Sequence, residues 1–199
     1  MISETELEVL ISRCIRKDLN AQELLYRKFY GYAMGICLRY SSNRYDARII
    51  VNDGFLKVFN NLYKFDAKKP FNLWLGRIMS NTAIDHYRSE IRHMNLLDTS
   101  EVDEVYESAA IENKLHYEEL IKLIQVLPPS YRTVFNLYAI DGFTHDEISK
   151  KLKISVGGSK SNLFKARKKL QELLKKSSAE SDKVIAAHNP DYGLLRVTK

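Results

Sequence analysis

The sequence predicts an all-α chain of two small helical domains joined by an acidic linker, and three observations carry that prediction. Apolar residues recur at helical spacing through the first ninety-odd residues. From Met94 to Asn113 that spacing lapses and carboxylates collect without a single Lys or Arg. From Lys114 the helical period returns and runs into a short capped helix, a tight turn and a strongly basic helix. The boundaries read from these shifts are 1–93, 94–113 and 114–176. The stretch 177–199 mixes Ser, Ala, His, Pro and Gly without a clear period and is expected to be flexible.

Within the first domain, Leu7, Leu10, Ile11, Cys14 and Ile15 mark one amphipathic helix. Leu25, Phe29, Tyr32, Ile36 and Tyr40 mark a second. Val51, Phe55, Val58, Phe59 and Leu62 continue the pattern in a third. After a short loop, Phe71, Trp74, Leu75, Ile78 and Met79 resume it. The linker carries Asp98, Glu101, Asp103, Glu104, Glu107 and Glu112. Beyond it, Tyr117, Leu120, Ile121 and Ile124 form an apolar stripe that Pro128 and Pro129 interrupt, and Val134, Phe135 and Leu137 belong to the helix that follows.

Composition fits a soluble globular protein with a polyanionic partner. The 199 residues are 45% hydrophobic with a formal net charge of +6. Cys14 and Cys37 lie outside any CxxC pair and at positions an amphipathic helix would bury, so a reducing compartment fits. The first residues include carboxylates where a secretory signal would need cations, and no apolar run approaches the roughly 18 residues of a membrane span. A cytoplasmic location is expected.

The densest signal runs from Asp141 to Leu174. Gly142 suits the left-handed residue that ends a helix, and Thr144-His145-Asp146-Glu147 has the form of a capping box. Ile148 and Leu152 give the next helix a buried side, and Ser155 can cap another whose stripe is Leu163, Ala166, Leu170 and Leu173. Between Lys150 and Lys176 there are ten Lys or Arg and one carboxylate, Glu172. A helix seated in a major groove needs this combination, with cations for the phosphates and short polar side chains near its start for base edges.

Two stretches then resemble one known family. LPPSYRTVFNLYAIDGFTHDEISKKLKISVGGSKSNLFKARKKL is similar to region four of the extracytoplasmic-function sigma factors of RNA polymerase, which reads the minus-thirty-five promoter element. DARIIVNDGFLKVFNNLYKFDAKKPFNLWLGRIMSNTAIDHYR resembles region two, which binds polymerase and melts the minus-ten element. The resemblance implies that Lys160, Ser161, Phe164 and Lys165 face minus-thirty-five DNA. It implies a pocket for an extruded base at the loop Tyr63 to Asn72, with Phe65, Lys68 and Lys69 on the loop and Asn61, Arg77 and Asn81 beside it. Charge paired with an aromatic face is what single-stranded DNA requires. Phe164 and Trp74 also fit core positions, and for Trp74 the core is the expected place.

The same resemblance implies that the helix Val51 to Phe59 docks on the clamp helices of the largest polymerase subunit, with Asn52 and Asp53 in the contact. Arg48 and Ile49 stand where the family usually has acidic residues, Asn52 where it has Gln, and Tyr138 where it often has an Arg that meets promoter phosphate. The acidic linker would thread toward the RNA exit path. The expected partners are core RNA polymerase, promoter DNA and an anti-sigma factor, commonly membrane-anchored, with no small-molecule substrate and no cofactor. No phosphate-binding Gly loop, GxSxG or metal-ligand spacing among the five histidines supports catalysis. The alternative expectation is a stand-alone helix-turn-helix regulator of duplex operator DNA. A family member that only titrates a partner is the third.

Overall fold

The computed structural model describes residues 4–96 and 116–188. Eight α-helices make up these residues, with no strand among them.

Helix α1 (Glu4–Ile15) turns into α2 (Leu19–Tyr40) through Lys17, whose φ of 62° is left-handed. Asp18 makes that turn tight. Its carboxylate caps α2 by accepting from the Ala21 N–H and also binds the Arg13 guanidinium at 2.8 Å. Helices α3 (Arg44–Asn61) and α4 (Phe71–Leu96) pack on α2 around Leu25, Val51, Phe55, Val58, Leu75 and Met79. The close approach of α3 to α4 depends on Gly54, because a Cβ there would meet the Met79 sulfur at 2.4 Å.

In the second half, α5 (His116–Gln125) leads through Pro128 to α6 (Pro129–Phe135). Pro129 occupies the first turn, where the missing N–H is not needed. Helix α6 continues as a π turn, Asn136–Ile140, and stops where Gly142 takes φ +75°. Helices α7 (His145–Leu152) and α8 (Val156–His188) follow, and they bury Ile148, Leu152, Leu163 and Ala166.

One expectation changes here. The chain does not leave its helix at Ser177; α8 continues to His188, so a boundary at 176 divides one helix. A formed helix adds residues without a new nucleation cost, so an extension needs no apolar period of its own. No Pro or Gly occurs from Ser177 to His188, whereas Asn189-Pro190 follows at once. Similarly, α4 runs to Leu96, which takes the first three residues of the assigned linker into a helix, whereas α5 begins at His116, two residues after the assigned start of the second domain. Most of that linker, and residues 189–199 of the C-terminal stretch, lie outside the described residues.

The two halves pack against each other. Val134 and Leu137 join the hydrophobic cluster that also holds Leu25, Phe55 and Leu75. Polar contacts surround that junction at the end of α2. The Tyr40 hydroxyl donates to Asp141, and Arg39 pairs with the same carboxylate at 3.5 Å. Asn136 donates its amide N–H to the Arg39 carbonyl, Gln125 donates to the Leu38 carbonyl, and Arg132 donates to Ser42 Oγ. Burial, then the neighbouring Asp141 charge, pushes the Tyr40 hydroxyl well above its ordinary pKa, so it remains a donor.

Two expectations for measurement follow from this packing. Burial holds the Cys37 thiol up at about 12 and the Cys14 thiol at about 11. Alkylation near neutral pH should therefore modify neither in the native protein and both after denaturation, as mass spectrometry would show. Gly54→Ala should lower the unfolding free energy by about 1–3 kcal/mol through overpacking against Met79, read from urea denaturation.

Candidate nucleic-acid interface

The helix-turn-helix is built from local contacts. Thr144 and Glu147 form a reciprocal capping box: Thr144 Oγ accepts from the Glu147 N–H, and the Glu147 carboxylate accepts from the Thr144 N–H at 2.8 Å. Helix α7 ends on Lys153 in a left-handed conformation, and Ser149 Oγ ties the turn by donating to the Ile154 carbonyl. Ser155 then caps α8, its Oγ accepting from the Gly158 N–H at 2.9 Å. His145 and the buried Ser159 hydroxyl, 2.9 Å apart, hold the two helices together.

These restraints fix which side of α8 meets solvent. Leu163 and Ala166 point inward, while Lys160, Ser161, Phe164 and Lys165 are all exposed. Phe164 is 70% exposed, so its ring belongs to the outer face and not to the core. Two tyrosines seven residues apart steer the cations of this face. Lys165 Nζ lies 5.8 Å from the Tyr131 ring centre, and the Arg167 guanidinium lies 5.7 Å from that of Tyr138. Tyr138 in turn stacks on His145 at 4.5 Å. The sequence reading placed Tyr138 where the family often has an Arg that meets phosphate and missed its role as a seat for Arg167. Its signal was the 131/138 spacing, which puts both rings on one helical face.

The basic loop lies on the other half. A 3₁₀ turn, Leu62–Lys64, precedes it. Asp66 shapes it by accepting from the Lys68 N–H at 3.1 Å, and Lys69 lies 3.8 Å from the same carboxylate. Lys64, Lys68 and Lys69 are exposed. Phe65 is half-buried and shares an aromatic cluster with Phe71 and Trp74, at 5.2 and 5.5 Å, so only part of its ring is open for stacking. Trp74 packs within that cluster, against the core. Asn61 closes the end of α3, donating to the Lys57 carbonyl and accepting from Lys64. Arg77 and Asn81 are exposed one turn apart on α4, and both line a cleft of about 820 Å³ between the halves.

Comparison with known proteins now decides the family. The description "Sigma-70 region 2" matches residues 25–93, and "Sigma-70, region 4" matches residues 117–170. The RNA polymerase sigma-H factor of Pseudomonas aeruginosa is 28% identical over 193 residues, covering 89% of this chain and all of that protein. The ECF RNA polymerase sigma-E factor of Escherichia coli K12 is 28% identical over 185 residues, covering 85% and 96%. The chain belongs to the sigma-70 family, as a sigma factor of the extracytoplasmic-function type. Among solved structures, the sigma factor RpoE with the anti-sigma factor NepR from Bartonella quintana is 22% identical with a TM-score of 0.49, covering 77% of this chain and 96% of that one. CnrH with the cytosolic domain of CnrY is 24% identical with a TM-score of 0.41, covering 84% and 96%.

In this sigma factor the α3 surface is exposed and mixed in character. Tyr45, Ile49 and Leu56 are exposed apolar residues at helical spacing, with Asn52 and Asp53 between them. Both polar residues have intramolecular partners that the sequence reading did not foresee. Tyr26 donates to Asn52 Oδ1 at 3.0 Å, which leaves the amide N–H₂ to act as donor. His86 on α4 lies 2.8 Å from the Asp53 carboxylate, while its sequence neighbour Asp85 pairs with Lys57. Arg48 rests over the Tyr45 ring at 5.5 Å. Contacts between residues 26 or 33 apart leave no local trace in a sequence.

The capping box makes the helix-turn-helix acid-sensitive. The Thr144 N–H, then its hydroxyl, hold the Glu147 carboxyl below its ordinary pKa. A depressed carboxylate contributes fully above the ordinary carboxylate range, and the contribution is lost as pH falls through the lower folded value. Glu147→Gln should therefore be less stable near neutrality and show a flatter acid limb, in thermal melts from about pH 6 to about pH 3.

Proposed function

We propose that this sigma factor brings core RNA polymerase to promoters by reading the minus-thirty-five element with α8 and opening the minus-ten element with the basic loop and α4. The observation that carries this reading is the outward face of α8, where Lys160, Ser161, Phe164 and Lys165 are exposed together on a helix that Ser155 caps and that follows the capped α7. In a major groove Lys160 and Lys165 reach phosphates or guanine acceptors, Ser161 permits close approach, and Phe164 packs on sugar or a thymine methyl. Nothing in this arrangement requires catalysis.

At the minus-ten element, Lys68 and Lys69 hold the phosphates of a separated strand, and the open part of Phe65 offers a stacking surface. Asn61, Arg77 and Asn81 supply donors and acceptors to an extruded base. The α3 face with Asn52 and Asp53 docks on the clamp helices of the largest polymerase subunit. There, Arg48 over Tyr45 presents a cation in place of the family's usual acid. An anti-sigma factor is the expected inhibitor. No described helix is long and apolar enough to cross a membrane, and the cytoplasm is the proposed location.

Run-off transcription with bacterial core polymerase on a promoter library tests the reading. Specific initiation should depend on this chain and be lost in the Lys160→Ala, Lys165→Ala double variant. Each single substitution should also lower the slope of log affinity against log salt by about 1 for promoter binding by the holoenzyme. Tight duplex binding by the chain alone, with no initiation, would replace the reading with a stand-alone regulator. The six linker carboxylates are proposed to mimic RNA charge near the exit path. Changing them to amides should alter the ratio of abortive to full-length transcripts without changing the salt dependence of promoter binding.

A further inference from the structure

The cleft of about 820 Å³ falls within the range of about 300–1,000 Å³ that small-molecule sites occupy. Three of its lining positions carry no side chain: Gly31 and Gly35, one turn apart on α2, and Gly76 on α4. A Cβ at Gly31 would meet nothing within 4 Å, so the space over it is open. Two rings border that opening. The Tyr32 hydroxyl lies over Gly76, 3.0 Å from where a Cβ would stand, and donates to the Asn72 carbonyl at 3.1 Å. The Tyr117 hydroxyl lies over Gly35 in the same way, at 3.1 Å. Leu73 lines the cleft beside them, and Phe143 lines it from the helix-turn-helix half. Tyr32, Leu73 and Tyr117 are all exposed, so an apolar surface converges on the cleft without being covered by the described residues.

The charged groups of the cleft are committed, with two exceptions. Asp141 receives Tyr40 and Arg39, Glu147 closes its capping box, and Lys151 donates to Asn81 Oδ1 at 3.1 Å while lying 4.8 Å over the Phe143 ring. Arg77 has no hydrogen bond, ion pair or ring contact among the described residues. Arg39 Nε, shut off from solvent, has no acceptor among them. Guanidinium groups only donate, so the group that complements them is an acceptor carrying negative charge. Three cations against two carboxylates leave the cleft one positive charge, which matches a single anionic group. A polyphosphate would bring its further charges against Asp141 and Glu147. Position adds direction to this charge. On α2 the lining residues Gly31, Gly35 and Arg39 repeat every four residues, and on α4 Leu73, Arg77 and Asn81 do the same. Tyr32 meets Asn72 and Gly76 while Tyr40 meets Ser80, so the apolar ends of the two stripes coincide, and so do the cationic ends. From Gly31 to Arg39 is about 12 Å along the helix.

We propose that the cleft is a binding site for a planar aromatic monoanion, with its rings over Gly31 between Tyr32 and Tyr117 and its carboxylate or sulfonate on Arg77, beside Arg39. A flat body fits because the glycine positions leave bare backbone where a side chain would stand, and the bordering tyrosines offer faces for stacking. A single anion at one end fits the one uncommitted guanidinium at the cationic end. The site itself is independent of the sigma-factor reading. Its effect on transcription rests on that reading: Arg77 is also proposed for the minus-ten strand, so a bound anion competes with DNA for the same donor.

The probe is 2-naphthoate, a two-ring carboxylate, titrated calorimetrically into the full-length chain with the neutral 2-naphthamide as its counterpart. Naphthoate should bind at one site and about tenfold more tightly than the amide, as one charge-assisted hydrogen bond implies. Arg77→Gln should remove that preference. Gly31→Leu should abolish binding of both, because its side chain takes the open space, and should melt no lower than the parent, since Leu favours a helix more than Gly does. Equal affinity for naphthoate and naphthamide in the parent, or naphthoate binding that survives Gly31→Leu, would overturn the site. Adenosine triphosphate binding more tightly than naphthoate would overturn the match to a single charge. Run-off initiation should fall when naphthoate is mixed with the chain before core polymerase is added, and should not fall in Gly31→Leu. Equal inhibition of both chains would overturn the competition with DNA. Absence of initiation from either chain without naphthoate, beside a normal calorimetric result, would count against the sigma-factor reading instead.

Discussion

Asp141 is the residue on which the placement of the second half depends. Its carboxylate receives the Tyr40 hydroxyl and the Arg39 guanidinium, while its own N–H closes the π turn on the Asn136 carbonyl. One side chain therefore joins the end of α2 to the start of the helix-turn-helix. Charge is what makes the contact specific: a buried phenol and a partly buried guanidinium converge on one anion, and a neutral isostere satisfies only the phenol fully. Arg132 and Asn136, both buried, extend the seam to Ser42 and the Arg39 carbonyl. Apolar packing by Val134 and Leu137 supplies attraction without direction, and the polar seam supplies the direction.

Much of this architecture was legible in the sequence because it is encoded locally. Leu25, Phe29, Ile36 and Tyr40 all bury as their period requires, and Thr144, Glu147, Ser155 and Gly142 occupy the caps and turn their chemistry suggests. Ile15 and Tyr32 kept the period yet are 45% and 42% exposed, since periodicity fixes a face and not how completely a partner covers it. The packing of one half on the other was not legible at all. Tyr40 and Asp141 are 101 residues apart, and neither residue type announces a distant partner.

The site divides along the same line. The exposure of Phe164 was settled only when Leu163 and Ala166 took the inward positions of α8, because a single aromatic among basic residues fits either side. Phe65 was read as a stacking face from its company of lysines; its partial burial comes from Phe71 and Trp74, whose rings converge from the next helix. The partners of Asn52 and Asp53 arise from α2 and α4 crossing α3, a tertiary fact. Only the capping residues and the basic face of α8 could be placed before the helices were packed.

Helix α8 is one unbroken rod of 33 residues, about 50 Å long. Its first turns carry the exposed Lys160, Ser161, Phe164 and Lys165, and the helix continues without a break to His188. A helix transmits torque along its axis with little internal give, so the far end is a lever arm on the recognition end. A load applied near His188 by another macromolecule would be felt as a tilt of Lys160 and Phe164, with no need to touch either side chain.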